Sequence, residues 1–96
     1  MGKAKPCGNV WEYTMVNSLR REGRPNSISL LIVGGKVKQI RWYGSNGVAI
    51  RDRDYFHPGE DHEFPHDHEW IDGVRGKDHM LPDYENYFYD IGEQNE

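Results

Sequence analysis

Apolar and polar positions alternate along this chain in short spans that turn formers separate. In residues 10–16, Trp11, Tyr13 and Met15 fall at every second position, which predicts a strand. Residues 18–22 are polar and predict a turn or a single helical turn. Residues 23–27, with Pro25 and Asn26, break the chain. Residues 27–33 contain the one dense apolar run, Leu30 to Val33, and predict a second strand. Gly34-Gly35 then suits a two-residue hairpin turn, because glycine tolerates positive φ. Residues 36–43 return as the next strand, with Val37 and Gln39 alternating against Lys38, Ile40 and Trp42. Ser45-Asn46-Gly47 is another turn signal, and residues 48–56 and 64–71 predict two further strands. Short strands joined by tight turns predict an antiparallel meander. The expected fold is mainly β, a small antiparallel β-meander with a metal-stapled hairpin and a short C-terminal helix or aromatic tail.

After Gly76 the pattern changes. Residues 83–90 read DYENYFYD, aromatic and acidic together. Pro82 suits the start of a short helix, on which Tyr84, Tyr87 and Phe88 would share a face at i, i+3 and i+4. The ordinary reading is a tail whose aromatics dock on the sheet. The functional reading is a partner-binding segment, since aromatics flanked by charge make good interface anchors. The first nine residues predict an irregular lead, and residues 92–96 a frayed end.

Composition limits the core. The chain has 96 residues, and only 35% of them are hydrophobic. Its mean hydropathy is -0.94. One small domain over residues 1–96 is expected, with a hairpin core at about 27–72 and an acidic aromatic segment at 77–96. So thin a core leaves room for a second source of stability, and a bound metal supplies one by favouring the state that gathers its ligands. Cys7 is the only cysteine, so no internal disulfide forms, which suits a reducing cytoplasm. No apolar stretch reaches the length of a membrane helix, and no signal-peptide pattern follows Met1.

Charge is unevenly distributed. Residues 1–53 carry ten Lys/Arg against Glu12, Glu22 and Asp52, giving +7. Residues 54–96 carry Arg75 and Lys77 against thirteen Asp/Glu, giving -11. The bland reading is mutual neutralisation in the fold. The sharper one is an acidic face that meets a basic surface on another protein. A net charge of -4 argues against direct binding of nucleic acid.

The chemistry concentrates in one place. Four of five histidines, His57, His62, His66 and His68, fall within twelve residues. Neutral imidazole is a good zinc ligand, and a structural site takes about four ligands. On a strand, His66 and His68 project to one side, together with Phe64 and Trp70. Asp52 and Asp54 form the same i, i+2 pair on the preceding strand. A hairpin centred near Glu60 would set Asp54 opposite His66 and Asp52 opposite His68, close enough for ligation or for a carboxylate to take the far N–H of a ligating histidine. His57 and His62 would close the site from the loop. One structural zinc ion is therefore expected on a subset of Asp52, Asp54, His57, His62, His66 and His68, with His79 read as a surface histidine and, as the lesser alternative, a ligand. The competing reading is a solvated, pH-sensitive histidine patch.

Asp61-His62-Glu63-Phe64-Pro65 resembles the D-H-x-x-P start of HNH nucleases, in which the histidine is a general base beside a metal. The downstream half of that motif, an asparagine followed by a histidine, is missing here. A hydrolytic site would also keep an open position for water. A nuclease or toxin fragment is thus the enzymatic alternative, and no catalytic residue is assigned.

Residues 23 to about 72 resemble a short bacterial domain found at the ends of phage structural proteins and polymorphic-toxin-like proteins. The resemblance rests on Arg24-Pro25-Asn26-Ser27, Tyr43-Gly44, Asp52-Arg53-Asp54 and Phe64-Pro65-His66-Asp67-His68-Glu69-Trp70. It covers about half the chain and omits the N-terminal strand and the tail. It implies a phage or mobile-element origin. In overall character the chain also resembles the type II-A anti-CRISPR proteins, which are small and often acidic. That likeness implies a non-enzymatic, monomeric inhibitor in the cytoplasm of the bacterial host. It would bind an RNA-guided CRISPR nuclease directly and block loading of target DNA, without contacting nucleic acid or membrane. Tyr84, Glu85, Tyr87, Phe88, Tyr89 and Asp90 would form its partner surface. A phage structural accessory domain is the third reading.

Overall fold

The computed structural model describes residues 9–56 and 65–89. Six strands form one sheet in sequence order: β1 (Val10–Tyr13), β2 (Ile28–Val33), β3 (Lys36–Tyr43), β4 (Ala49–Asp54), β5 (His66–Ile71) and β6 (Val74–Arg75). The fold is mainly β, as the alternation predicts. From β2 to β6 it is the expected antiparallel meander. β1 departs from that pattern by pairing parallel to β2, with Val10 opposite Ile28 and Tyr13 opposite Leu31. A parallel neighbour requires the chain to return to its starting end, and residues 14–27 make that crossing.

Turn chemistry sets the register. Gly34 and Gly35 both take positive φ, 61° and 79°, the geometry whose twist matches a two-residue hairpin. Asp72 and Gly73 do the same between β5 and β6, at 53° and 78°. Gly47 has φ 80°, and a Cβ there would stand 2.6 Å from the Gly23 carbonyl oxygen. Only glycine permits that approach, which lets Gly23 N donate to Gly47 O at 2.8 Å and ties the crossing segment to the end of the sheet.

The two faces of the sheet differ in kind. On one face Leu30 opposes Ile40, and Ile28 opposes Trp42. With Val10 and Val37 they make the hydrophobic core, against which Ile32, Ile50, Tyr55, Tyr87 and Tyr89 pack. Strict alternation sets Val37 against Ile40. A bulge in β3 corrects this: Leu31 pairs with Gln39 but Ile32 with Val37, so Lys38 is the extra residue and Val37 turns toward the core.

Toward β5 the same face becomes ionic. Arg51, Arg53 and Asp67 are buried there, the last two completely. Asp67 accepts from Arg53 Nε at 2.7 Å, Arg53 Nη2 at 2.9 Å and Arg51 Nε at 2.9 Å. The tail closes over this cluster. Arg53 donates to the carbonyls of Tyr87 (2.8 Å) and Asp83 (3.1 Å), and its guanidinium lies over the rings of Trp42 and Tyr84. Tyr87 meets Trp42 edge to face at 5.4 Å. The tail therefore docks on the sheet. The helix-like bond from Tyr87 N to Asp83 O at 3.0 Å closes a single turn, and no helix forms among the described residues. Tyr84 and Phe88 remain mostly exposed.

Candidate metal centre

The opposite face carries the candidate site. β4 and β5 pair with Asp54 opposite His66 and Asp52 opposite His68, the register expected from their i, i+2 spacing. Because side chains alternate, all four project from this one face while Arg51, Arg53 and Asp67 point to the other. His66 and His68 are both buried.

A third imidazole comes from beyond the sheet. After β6 the chain runs back along β5, and Met80 exchanges backbone hydrogen bonds with Asp67 at 2.8 and 2.9 Å. His79, next to Met80, is thereby delivered to the histidine face. Its ring stacks on His66 with centroids 4.3 Å apart, and lies 5.1 Å from that of His68. The rings of His66 and His68 are 5.0 Å apart. Ligand atoms of His66, His68 and His79 all lie within 4.8 Å of one another, so the three residues could hold a metal ion. His79 is exposed, as its reading as a surface residue requires, yet it belongs to the cluster. The Asp72-Gly73 turn was the available sequence signal, since it folds the chain back along β5.

Local bonds orient the rings. The His68 Nδ1–H donates to the Gly76 carbonyl at 3.0 Å, which leaves Nε2 as the nitrogen able to bind a metal. Burial, and then the Arg75 cation, push the His68 pKa below its ordinary value, which keeps the ring neutral as ligation demands. Oδ2 of Asp54 stands 3.4 Å from His66 Nε2 and 3.5 Å from His68 Nε2. These separations are long for charge-assisted hydrogen bonds, which run about 2.7–2.9 Å. They suit two donors on one ion, because ligands about 2.0–2.1 Å from a tetrahedral zinc lie about 3.4 Å apart.

Arginines and a glutamine brace the carboxylates. Asp54 accepts from Gln39 Nε2 and Arg75 Nη2, both at 2.7 Å. Asp52 is held by Arg41 Nε at 2.6 Å, Arg41 Nη2 at 2.9 Å and Arg75 Nε at 2.8 Å. Asp52 thus shares the face but faces guanidinium groups, while Asp54 adjoins the imidazoles. The remaining ligand candidates, His57 and His62, lie outside the described residues, as do Phe64 and Asp61–Glu63 of the D-H-x-x-P match.

Of the expected partner surface, Tyr87 and Tyr89 pack against the core. Tyr84, Glu85 and Phe88 are exposed, and Asp90 lies outside the described residues. Of the acidic half, Asp54 is held by Arg75 and Asp67 by Arg51 and Arg53, so part of its charge is neutralised internally. No helix among the described residues is long and apolar enough to cross a membrane.

Fold and site together define a small mixed-sheet domain with a three-imidazole cluster on its polar face. In comparisons with protein families, curated proteins and solved structures, nothing matches this chain.

Proposed function

We propose that the chain is a metal-binding domain that holds one structural zinc ion on His66, His68 and His79, with Asp54 as the fourth donor. The observation that carries this reading is the convergence of three imidazoles from β5 and the returning segment within 4.8 Å, beside a buried carboxylate oxygen. Nitrogen-rich donor sets favour zinc over calcium or magnesium, which take oxygen. The ion would tie residue 79 to β5 and supplement a thin core. Arg75 would offset the carboxylate charge without displacing it, because a carboxylate oxygen accepts in more than one direction.

A hydrolytic site is the second reading. The exposure of His79 favours it, since an ion held there would face solvent on one side and could carry a water. Inhibition of an RNA-guided nuclease rests on resemblance alone, and its contact surface reduces to Tyr84, Glu85 and Phe88 among the described residues.

Thermal unfolding of chelator-treated protein with and without zinc tests the proposal. At one hundred times Kd a bound ion adds about 2.7 kcal/mol. For a domain of this size that raises Tm by roughly 10–20 °C. An unchanged Tm at saturating zinc would reject the structural role. Zinc-dependent cleavage of a nucleic acid or phosphodiester would favour the hydrolytic one.

A further inference from the structure

Three consecutive residues of β5 serve both faces of the sheet. His66 and His68 project to the imidazole cluster, while Asp67 between them projects to the face on which the tail docks. The returning segment meets the same three residues in turn. His79 joins the two imidazoles, and Met80 exchanges backbone hydrogen bonds with Asp67 at 2.8 and 2.9 Å. Asp83 N then donates to Asp67 Oδ2 at 3.1 Å. Residues 79–83 thus carry the chain from the imidazole face, round the outer edge of β5, to the tail face.

The segment is lightly held. No residue from 76 to 89 is fully buried. Its attachments on the tail face converge on two residues. Asp67 receives the Asp83 amide, and Arg53 donates to the carbonyls of Asp83 and Tyr87. Arg53 is itself oriented by Asp67, at 2.7 and 2.9 Å. So thinly buried a segment opens locally more readily than the strands beneath it.

An ion on His66, His68 and His79 would act on that opening. It would close the chain between residues 68 and 79 and hold Met80 beside its Asp67 partner. Docking of residues 81–89 would then begin from a fixed point. The conformational freedom of residues 77–80 would already be lost, so docking would no longer oppose it.

We propose that the metal centre is a latch for the tail. Ion binding and tail docking favour one another through residues 66–68 and 79–80. Loss of the ion loosens residues 81–89 and uncovers Trp42 with the Arg51, Arg53 and Asp67 cluster beneath them. This inference rests on the metal-binding reading and adds to it a coupling between opposite faces of the sheet. Such coupling is reciprocal. Tyr87 packs edge to face on Trp42, on the face away from the imidazoles. Its truncation should nevertheless weaken zinc binding, by up to the factor by which zinc tightens docking.

The test uses the full chain, labelled with nitrogen-15 and freed of metal with a chelator, with zinc as the probe. The Tyr87 amide is bonded within the docked turn, so its hydrogen exchange reports on the tail. In the metal-free chain it should exchange faster than the β3 amides. Zinc should slow it about 5–150-fold, the usual span of such couplings, and His79→Ala should abolish the slowing. In competition with a chromophoric chelator, Tyr87→Ala should bind zinc about fivefold or more weakly. Val10→Ala loosens the core at the opposite edge of the sheet and should leave zinc affinity unchanged. It separates coupling from a general loss of stability. One zinc bound per chain with no slowing at Tyr87 overturns the latch and leaves the metal site standing. So does a Tyr87→Ala variant that binds zinc as the wild type does. A chain that takes up no zinc overturns both.

Discussion

Asp54 and His66 are direct cross-strand partners, and Oδ2 of the carboxylate lies 3.4 Å from Nε2 of the imidazole. The same oxygen is 3.5 Å from His68 Nε2. One buried oxygen therefore serves two rings while Arg75 holds it from the other side at 2.7 Å. Asp54→Asn keeps the shape but loses the charge. We expect it to lower zinc affinity about 10–100-fold, whether Asp54 ligates or supports the ligands. Competition with a chromophoric chelator measures this, and an unchanged affinity would remove Asp54 from the site.

Asp67 is the hub of the opposite face. It is completely buried and receives three bonds from Arg51 and Arg53. Its truncation to alanine leaves two guanidinium groups in a dry setting. Breaking a buried pair in this way costs about 3–5 kcal/mol. Against a total stability of about 5–15 kcal/mol, Asp67→Ala should be largely unfolded or melt far lower, as urea denaturation would record.

The tail divides into anchoring and exposed aromatics. Tyr87 packs edge to face on Trp42, beneath Arg51, and its carbonyl accepts from Arg53. Tyr87→Ala should cost about 2–3 kcal/mol, less than a fully buried aromatic, and should expose the tail to limited proteolysis. Phe88 is 64% exposed, and Phe88→Ala should change stability by less than about 0.5 kcal/mol. Equal effects from the two variants would contradict this division.

Asp83 makes the tail turn sensitive to acid. Its carboxylate accepts from Asn86 Nδ2 at 3.0 Å and Asn86 N at 3.1 Å, and these bonds hold its pKa below the ordinary 3.8. A carboxylate depressed in the folded state stabilises that state fully above its unfolded pKa. The contribution disappears as pH falls through the folded value. Hydrogen exchange at the Asn86 amide should therefore accelerate, relative to the intrinsic rate, as pH drops below about 3.8 toward the depressed value. Asp83→Asn should abolish that step.

Much of this architecture is legible in the chain itself. Alternation located five strands, and Gly34-Gly35 fixed the β2–β3 hairpin. The i, i+2 spacing of Asp52/Asp54 and His66/His68 was enough to set four side chains on one face in the observed register. Three features escaped for physical reasons. The parallel pairing of β1 depends on how residues 14–27 cross, which no local pattern encodes. The bulge at Lys38 inverts the face of Val37 through pairing with Ile32, a non-local event. His79 lies eleven residues past His68, and only the Asp72-Gly73 turn with the Met80–Asp67 bridge returns it to the site. Arg51, Arg53 and Asp67 look like solvated charges in the sequence, but the docked tail buries them.

Metal stoichiometry is the most direct test of the imidazole cluster. Protein purified without affinity tags that bind metal should carry about one zinc per chain by elemental analysis, and cobalt should replace it with a tetrahedral visible spectrum. His66→Ala, His68→Ala and His79→Ala should each reduce occupancy, with His79→Ala leaving the metal-free fold intact because its ring is exposed. Occupancy near zero in the wild-type chain, or full occupancy after loss of His66 and His68 together, would contradict the account.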